Sequence, residues 1–111
     1  MFDGLWTVEF VSTINRYGKG VLVINGSRLL GGDNGYYYSG TCKISNNNFE
    51  AKITVIKYDT GSISVFGNID HFELMLNGKI DENRFDAIAT IANNEKAKMS
   101  VVGTKKEDLQ P

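Results

Sequence analysis

The sequence predicts an all-β protein, an eight-stranded antiparallel up-and-down barrel. Three observations predict it. Apolar and polar side chains alternate with a period of two along most of the chain, the pattern of strands with one buried face. Turn-forming clusters recur at short intervals, at residues 15–18, 25–26, 31–35, 46–48, 59–62, 81–83 and 93–95, and divide the chain into eight segments. Most of these connections are too short for anything but antiparallel neighbours. Closing such a sheet removes its edges, which otherwise invite aggregation.

In the first strand Trp6, Val8 and Phe10 alternate with Thr7 and Glu9. The second, residues 20–24, is apolar on both faces, so Val21 and Val23 point outward at a candidate contact. Asn25-Gly26 reads as a hairpin of type I′, which needs φ > 0 at both central residues. A short third strand over residues 27–30 runs into residues 31–40, where four glycines and three consecutive tyrosines stand together. The glycines there suit a sharp reversal, including φ > 0, and Asp33 suits a side chain that ties down its own turn. The fourth strand puts Tyr36, Tyr38, Gly40, Cys42 and Ile44 on one face. In the fifth, Phe49, Ala51, Ile53 and Val55 point inward against Glu50, Lys52 and Thr54. Residues 63–68 fit either a helical turn or a loop. Phe72, Leu74 and Leu76 mark the sixth strand, Phe85, Ala87, Ala89 and Ile91 the seventh, and Ala97, Met99 and Val101 the eighth. One domain is expected over residues 1–104, with a charged, fraying tail over residues 105–111.

Inward parity also collects glycine and alanine: Gly20, Gly40, Gly78 and Gly103, with Ala51, Ala87, Ala89 and Ala97. Inward glycines let barrel strands bend, and small inward side chains also leave room for a guest. Eight strands is the size at which a barrel is either filled by side chains or holds one small ligand. The candidate lining of such a cavity is Trp6, Phe10, Tyr38, Ile53, Phe72 and Leu74.

Several function classes fare badly. The formal net charge is −1 with both signs interspersed, against the basic stripe of a nucleic-acid binder. No apolar run approaches a membrane span, and the first residues lack the basic start and apolar run of a signal peptide. With one cysteine, Cys42, and so no internal disulfide, a cytoplasmic location is expected. Parity sends Cys42 inward and His71 outward, so no Cys-His dyad forms. Asp81, Glu82 and Asp86 lack the glycine and spacing of a calcium loop, and no zinc spacing occurs. Glu9, Glu50 and Glu73 point outward, away from any shared cleft. The glycine-rich loop leads into a strand, where a phosphate loop needs a helix. No enzyme, cofactor or metal is expected.

Four segments in order carry a family resemblance: Asp3-Gly4 before an aromatic first strand, Gly18-Lys19-Gly20, Gly31-Gly32-Asp33, and Tyr38-Ser39-Gly40. Together they resemble the GrlR family, small bacterial proteins named for a negative regulator of type III secretion genes, with the likeness best over residues 1–55. The resemblance implies a lipocalin-like eight-stranded barrel with an apolar interior and a tendency to dimerise. It also implies regulation by sequestering a transcriptional activator through protein contact, without DNA binding. In that family an acidic turn between the fourth and fifth strands is associated with the contact. The turn here, Ser45-Asn46-Asn47-Asn48, has no acid.

Two roles follow as expectations. The first is a non-enzymatic regulator acting by protein contact, homodimeric through Val21 and Val23, with Ser45, Asn46, Asn47 and Asn48 as the partner-binding turn. The second is a carrier of a lipid or other apolar small molecule inside the barrel.

Overall fold

The computed structural model describes residues 2–13, 15–64, 70–92 and 94–109. Eight strands follow in order: β1 (Gly4–Ser12), β2 (Tyr17–Asn25), β3 (Arg28–Gly32), β4 (Tyr36–Ser45), β5 (Asn48–Lys57), β6 (His71–Ile80), β7 (Arg84–Ile91) and β8 (Asn94–Asp108). Each pairs antiparallel with its neighbour in sequence, and β8 returns to pair with β1. The chain is thus the closed up-and-down barrel that its periodicity predicts. Alternation fixes the register, because a slip of one residue would turn every inward side chain out. In β5, Phe49, Ala51, Ile53 and Val55 are buried while Glu50 and Lys52 are exposed.

Up-and-down order sorts the interior by end. The starts of odd-numbered strands share one end with the finishes of even-numbered strands. Trp6, Phe49 and Phe85, near the starts of β1, β5 and β7, meet there and are fully buried, as are Ile24 and Leu29. Phe85 stacks in tilted geometry against Trp6, with centroids 5.4 Å apart, and against Phe49 at 4.9 Å, within the favourable range for aromatic pairs. The indole N–H of Trp6 donates to the Phe2 carbonyl at 2.9 Å. This half of the barrel is closed by its own side chains.

The inward glycines serve two ends. At Gly31, Gly40 and Gly78 a Cβ would collide with the backbone of the adjacent strand, at Val21, Lys52 and Asp86 respectively. These positions let strands approach and bend. At Gly18, Gly20 and Gly103 a Cβ would meet the side chains of Phe10, Tyr38 and Phe85, so Gly18 and Gly103 each seat a ring from the paired strand and Gly20 seats the ring of Tyr38 from two strands away.

Three expectations are corrected. Residues 105–108 are not a fraying tail: they are the last part of β8, with Lys105 opposite Trp6, Glu107 opposite Leu5 and Asp108 opposite Gly4 across a bulge. Backbone pairing holds them, and pairing on a solvent face needs no apolar side chain. The hairpin after β2 is not type I′: φ is positive at Gly26 (62°) and not at Asn25, and Asn25 pairs with Arg28. Positive φ at the first central residue alone is the type II′ pattern. Both central residues are left-handed instead at Asn46 (51°) and Asn47 (66°), between the paired Ser45 and Asn48. Asparagine tolerates that region because its side chain is short and polar. Finally, none of Gly31, Gly32, Gly35 and Gly40 has positive φ; they are needed for close approach. Gly35 is packed on Ser62, and a Cβ there would strike that side chain. Of residues 63–68, Ile63 is exposed and Ser64 makes an isolated bridge; residues 65–68 lie outside those described.

Candidate functional site

The opposite half of the barrel is not filled. Between the centre and the rim, among the described residues, lies a cavity of about 380 Å³, within the size range of small-molecule sites. Its walls come from inward positions of six strands. Val8 and Phe10 lie on β1, Leu22 on β2, Tyr36 and Tyr38 on β4, Ile53 and Val55 on β5, Leu74 and Leu76 on β6, and Met99 and Val101 on β8. Phe72 of β6 packs over Tyr36, with centroids 6.2 Å apart. The rim adds Tyr17, Asp33, Asn34, Gly35 and residues 62–64. Apart from the two tyrosine hydroxyls, the inward side chains of the wall are hydrocarbon or thioether.

Asp33 organises the polar corner of the rim. It follows β3 directly, and its Oδ1 accepts from the amides of Gly35 at 2.9 Å and Tyr36 at 2.8 Å. That side chain therefore ties down its own turn, as an aspartate beside asparagine and glycine does. Its Oδ2 accepts from the Tyr38 hydroxyl at 2.5 Å. Tyr58, just past β5, donates its hydroxyl to the Asp33 carbonyl. The Tyr38 phenol is held well above its ordinary pKa, first by burial and then by its hydrogen bond to Asp33 and the charges of Asp33 and Tyr58. The nearby cation Lys57 is turned to Asp70, with Nζ 3.1 Å from Oδ1, and stands 5.9 Å from the centroid of the Tyr36 ring. Lys19 of β2 also lines the cavity mouth, with Nζ 5.9 Å from the Tyr17 ring centroid.

Five of the six side chains expected to line a cavity do so: Phe10, Tyr38, Ile53, Phe72 and Leu74. Trp6 does not. It is 0% exposed in the filled half, against Phe85, because it stands at the start of β1 and Phe10 near its finish. Val8, Leu22, Tyr36, Val55, Leu76, Met99 and Val101 line the wall as well. The signal for most of them was strand polarity, since inward residues at the finish of an odd strand or the start of an even one face this end; Leu22, past the middle of β2 and opposite Trp6, does not follow it.

The Ser45, Asn46, Asn47 and Asn48 turn lies at the filled end, away from the cavity. Asn47 Nδ2 donates to the Ile80 carbonyl at 2.9 Å, and the Ile80 amide donates to the Asn47 carbonyl at the same distance. Val21 is on the outer face and 46% exposed, with Val23 half-buried beside it. Leu30 is opposite Val23, and Tyr37 is opposite Gly32; both are exposed, extending an apolar strip over β2, β3 and β4. Cys42 is buried, its thiol 3.7 Å from the Gly26 carbonyl and raised in pKa by burial first and the Asp3 charge second. His71 is exposed at the start of β6.

No family model matches the chain, and no curated protein matches it. Among solved structures, one described as a redesigned beta barrel is similar to it, with 11% sequence identity, a TM-score of 0.49, and coverage of 96% of this chain and 92% of that chain.

Proposed function

We propose that the protein is a carrier that holds a small, largely apolar molecule in the unfilled half of the barrel. The observation that carries the reading is the cavity of about 380 Å³ with its hydrocarbon wall. Protein interiors are otherwise packed to the density of organic crystals, and the aromatic half of this same barrel is packed in that way. An apolar guest would cover the exposed wall and stabilise the folded state by mass action. Native mass spectrometry of freshly purified protein, with solvent extraction of the same sample, is the test. A stoichiometric apolar molecule is expected. Protein that arrives empty and binds no neutral apolar probe would sink the reading.

A second reading is favoured by a different surface. The outer strip of Val21, Leu30 and Tyr37 is the kind of contiguous apolar patch that marks protein contacts. It suits a bacterial regulator that works by contact, as the resemblance to the GrlR family implies, with Val21 and Val23 in a homodimer. Size-exclusion chromatography with light scattering tests this. A dimer that Val21→Glu converts to a monomer is expected, and a monomeric unmutated protein would remove the homodimer from the reading.

A further inference from the structure

We propose that Tyr38 sets the specificity of the cavity, and that the ligand is an apolar molecule with an uncharged hydrogen-bond-donating head group, an alcohol in preference to a carboxylate. This rests on the carrier reading. The argument starts from one proton. A carboxylate only accepts hydrogen bonds, so in the Tyr38–Asp33 pair the phenol is the donor. A phenol has a single proton, and that proton is committed. What Tyr38 still offers to the cavity it lines is a lone pair on its oxygen.

Asp33 cannot turn away to release it. Its other oxygen is taken by the amides of Gly35 and Tyr36, and its carbonyl by the Tyr58 hydroxyl. The ring of Tyr38 is seated over Gly20, where a Cβ would meet the hydroxyl. The acceptor is therefore fixed in place before any ligand arrives.

A ligand hydroxyl can donate to this oxygen. An ether oxygen of the same length and apolarity cannot, and it would set lone pair against lone pair. A carboxylate fares worse on two counts. It must be desolvated against a hydrocarbon wall, and it approaches the Asp33 carboxylate. Of the cations near the rim, Lys57 of β5 is held by Asp70, and Lys19 of β2 stands against the Tyr17 ring at the cavity mouth.

The experiment displaces the neutral fluorescent probe N-phenyl-1-naphthylamine from the full chain at pH 8 with 1-decanol, decyl methyl ether and decanoate. Decanol should compete about fivefold better than the ether, the value of one ordinary hydrogen bond. It should compete at least about tenfold better than decanoate. In Tyr38→Phe the preference for alcohol over ether should fall to about one. If the unmutated protein binds alcohol and ether equally, or decanoate as tightly as decanol, the head-group assignment is overturned while probe binding still upholds the carrier. If the probe does not bind, the carrier reading falls and the assignment with it. Should Tyr38→Phe fail to fold, the three-way comparison on the unmutated protein decides.

Discussion

A buried phenol that donates to a carboxylate loses its proton reluctantly, and at Tyr38 this has a measurable consequence for stability. Burial first and Asp33 second raise its folded pKa above the ordinary 10.0. A raised pKa stabilises the folded state while both states keep the proton, and that contribution is lost as the unfolded phenol begins to ionise. Stability should hold below about pH 9 and decline above about pH 10. Urea unfolding followed between pH 8 and pH 11 should show that decline, and Tyr38→Phe should flatten it. An equally steep alkaline decline in Tyr38→Phe would mean that another group controls it. Gly103 provides a second single-residue test. Its missing Cβ is the space that the Phe85 ring occupies, and Phe85 is 0% exposed between Trp6 and Phe49. Gly103→Ala should therefore cost about 1–3 kcal/mol by overpacking, read as a lower urea midpoint. The same substitution at Gly26, where nothing lies within 4 Å, acts through its φ of 62° alone and should cost about 1 kcal/mol.

At the scale of elements, β8 is the strand whose length matters most. Its last residues pair with Gly4, Leu5 and Trp6, so the strand that closes the barrel also covers the aromatic end. Removing residues 105–111 should expose the edge of β1 beside Trp6 and cost about 2–4 kcal/mol, several ladder hydrogen bonds together. A truncated chain as stable in urea as the full one would show that barrel closure does not depend on those rungs. This strand also shows what was legible in the sequence and what was not. Parity found every inward residue of β5 because Phe49, Ala51, Ile53 and Val55 alternate against charge. It lost Lys105, Lys106, Glu107 and Asp108, because a paired strand with solvated side chains looks like a charged tail. The turns were legible in position and not in type. Asparagine and glycine announce a reversal, while which residue takes positive φ depends on the register of the closing pair, Asn25 with Arg28 or Ser45 with Asn48.

For the whole molecule, the decisive property is that one barrel has a filled half and an unfilled half. Strand count alone allows a solid interior or a ligand chamber, and the six aromatic and aliphatic residues chosen from parity were drawn from both halves. Trp6 belongs to the filled one. Up-and-down order carries the missing information, since the large rings at the starts of β1, β5 and β7 must converge at one end, while Phe10, Tyr36, Tyr38 and Phe72 stand at the other with Val8, Val55 and Val101. If the unfilled half is retained for a guest, filling it should raise stability and abolish binding together, the trade expected where a site is kept at the expense of packing. Val101→Phe puts a ring into the cavity from β8. It should raise the unfolding free energy by about 1–2 kcal/mol through added apolar burial and lower affinity for N-phenyl-1-naphthylamine by at least about tenfold. Ala87→Phe, on β7 outside the cavity wall and 6% exposed, should instead destabilise by about 1–3 kcal/mol. Opposite signs from two similar enlargements, read in the same urea titration, would show that the empty space adjoins Val101 and not its cross-strand partner Ala87. Destabilisation by both would mean that the cavity is too small or too rigid to accept a ring, and the carrier would lose its main physical support.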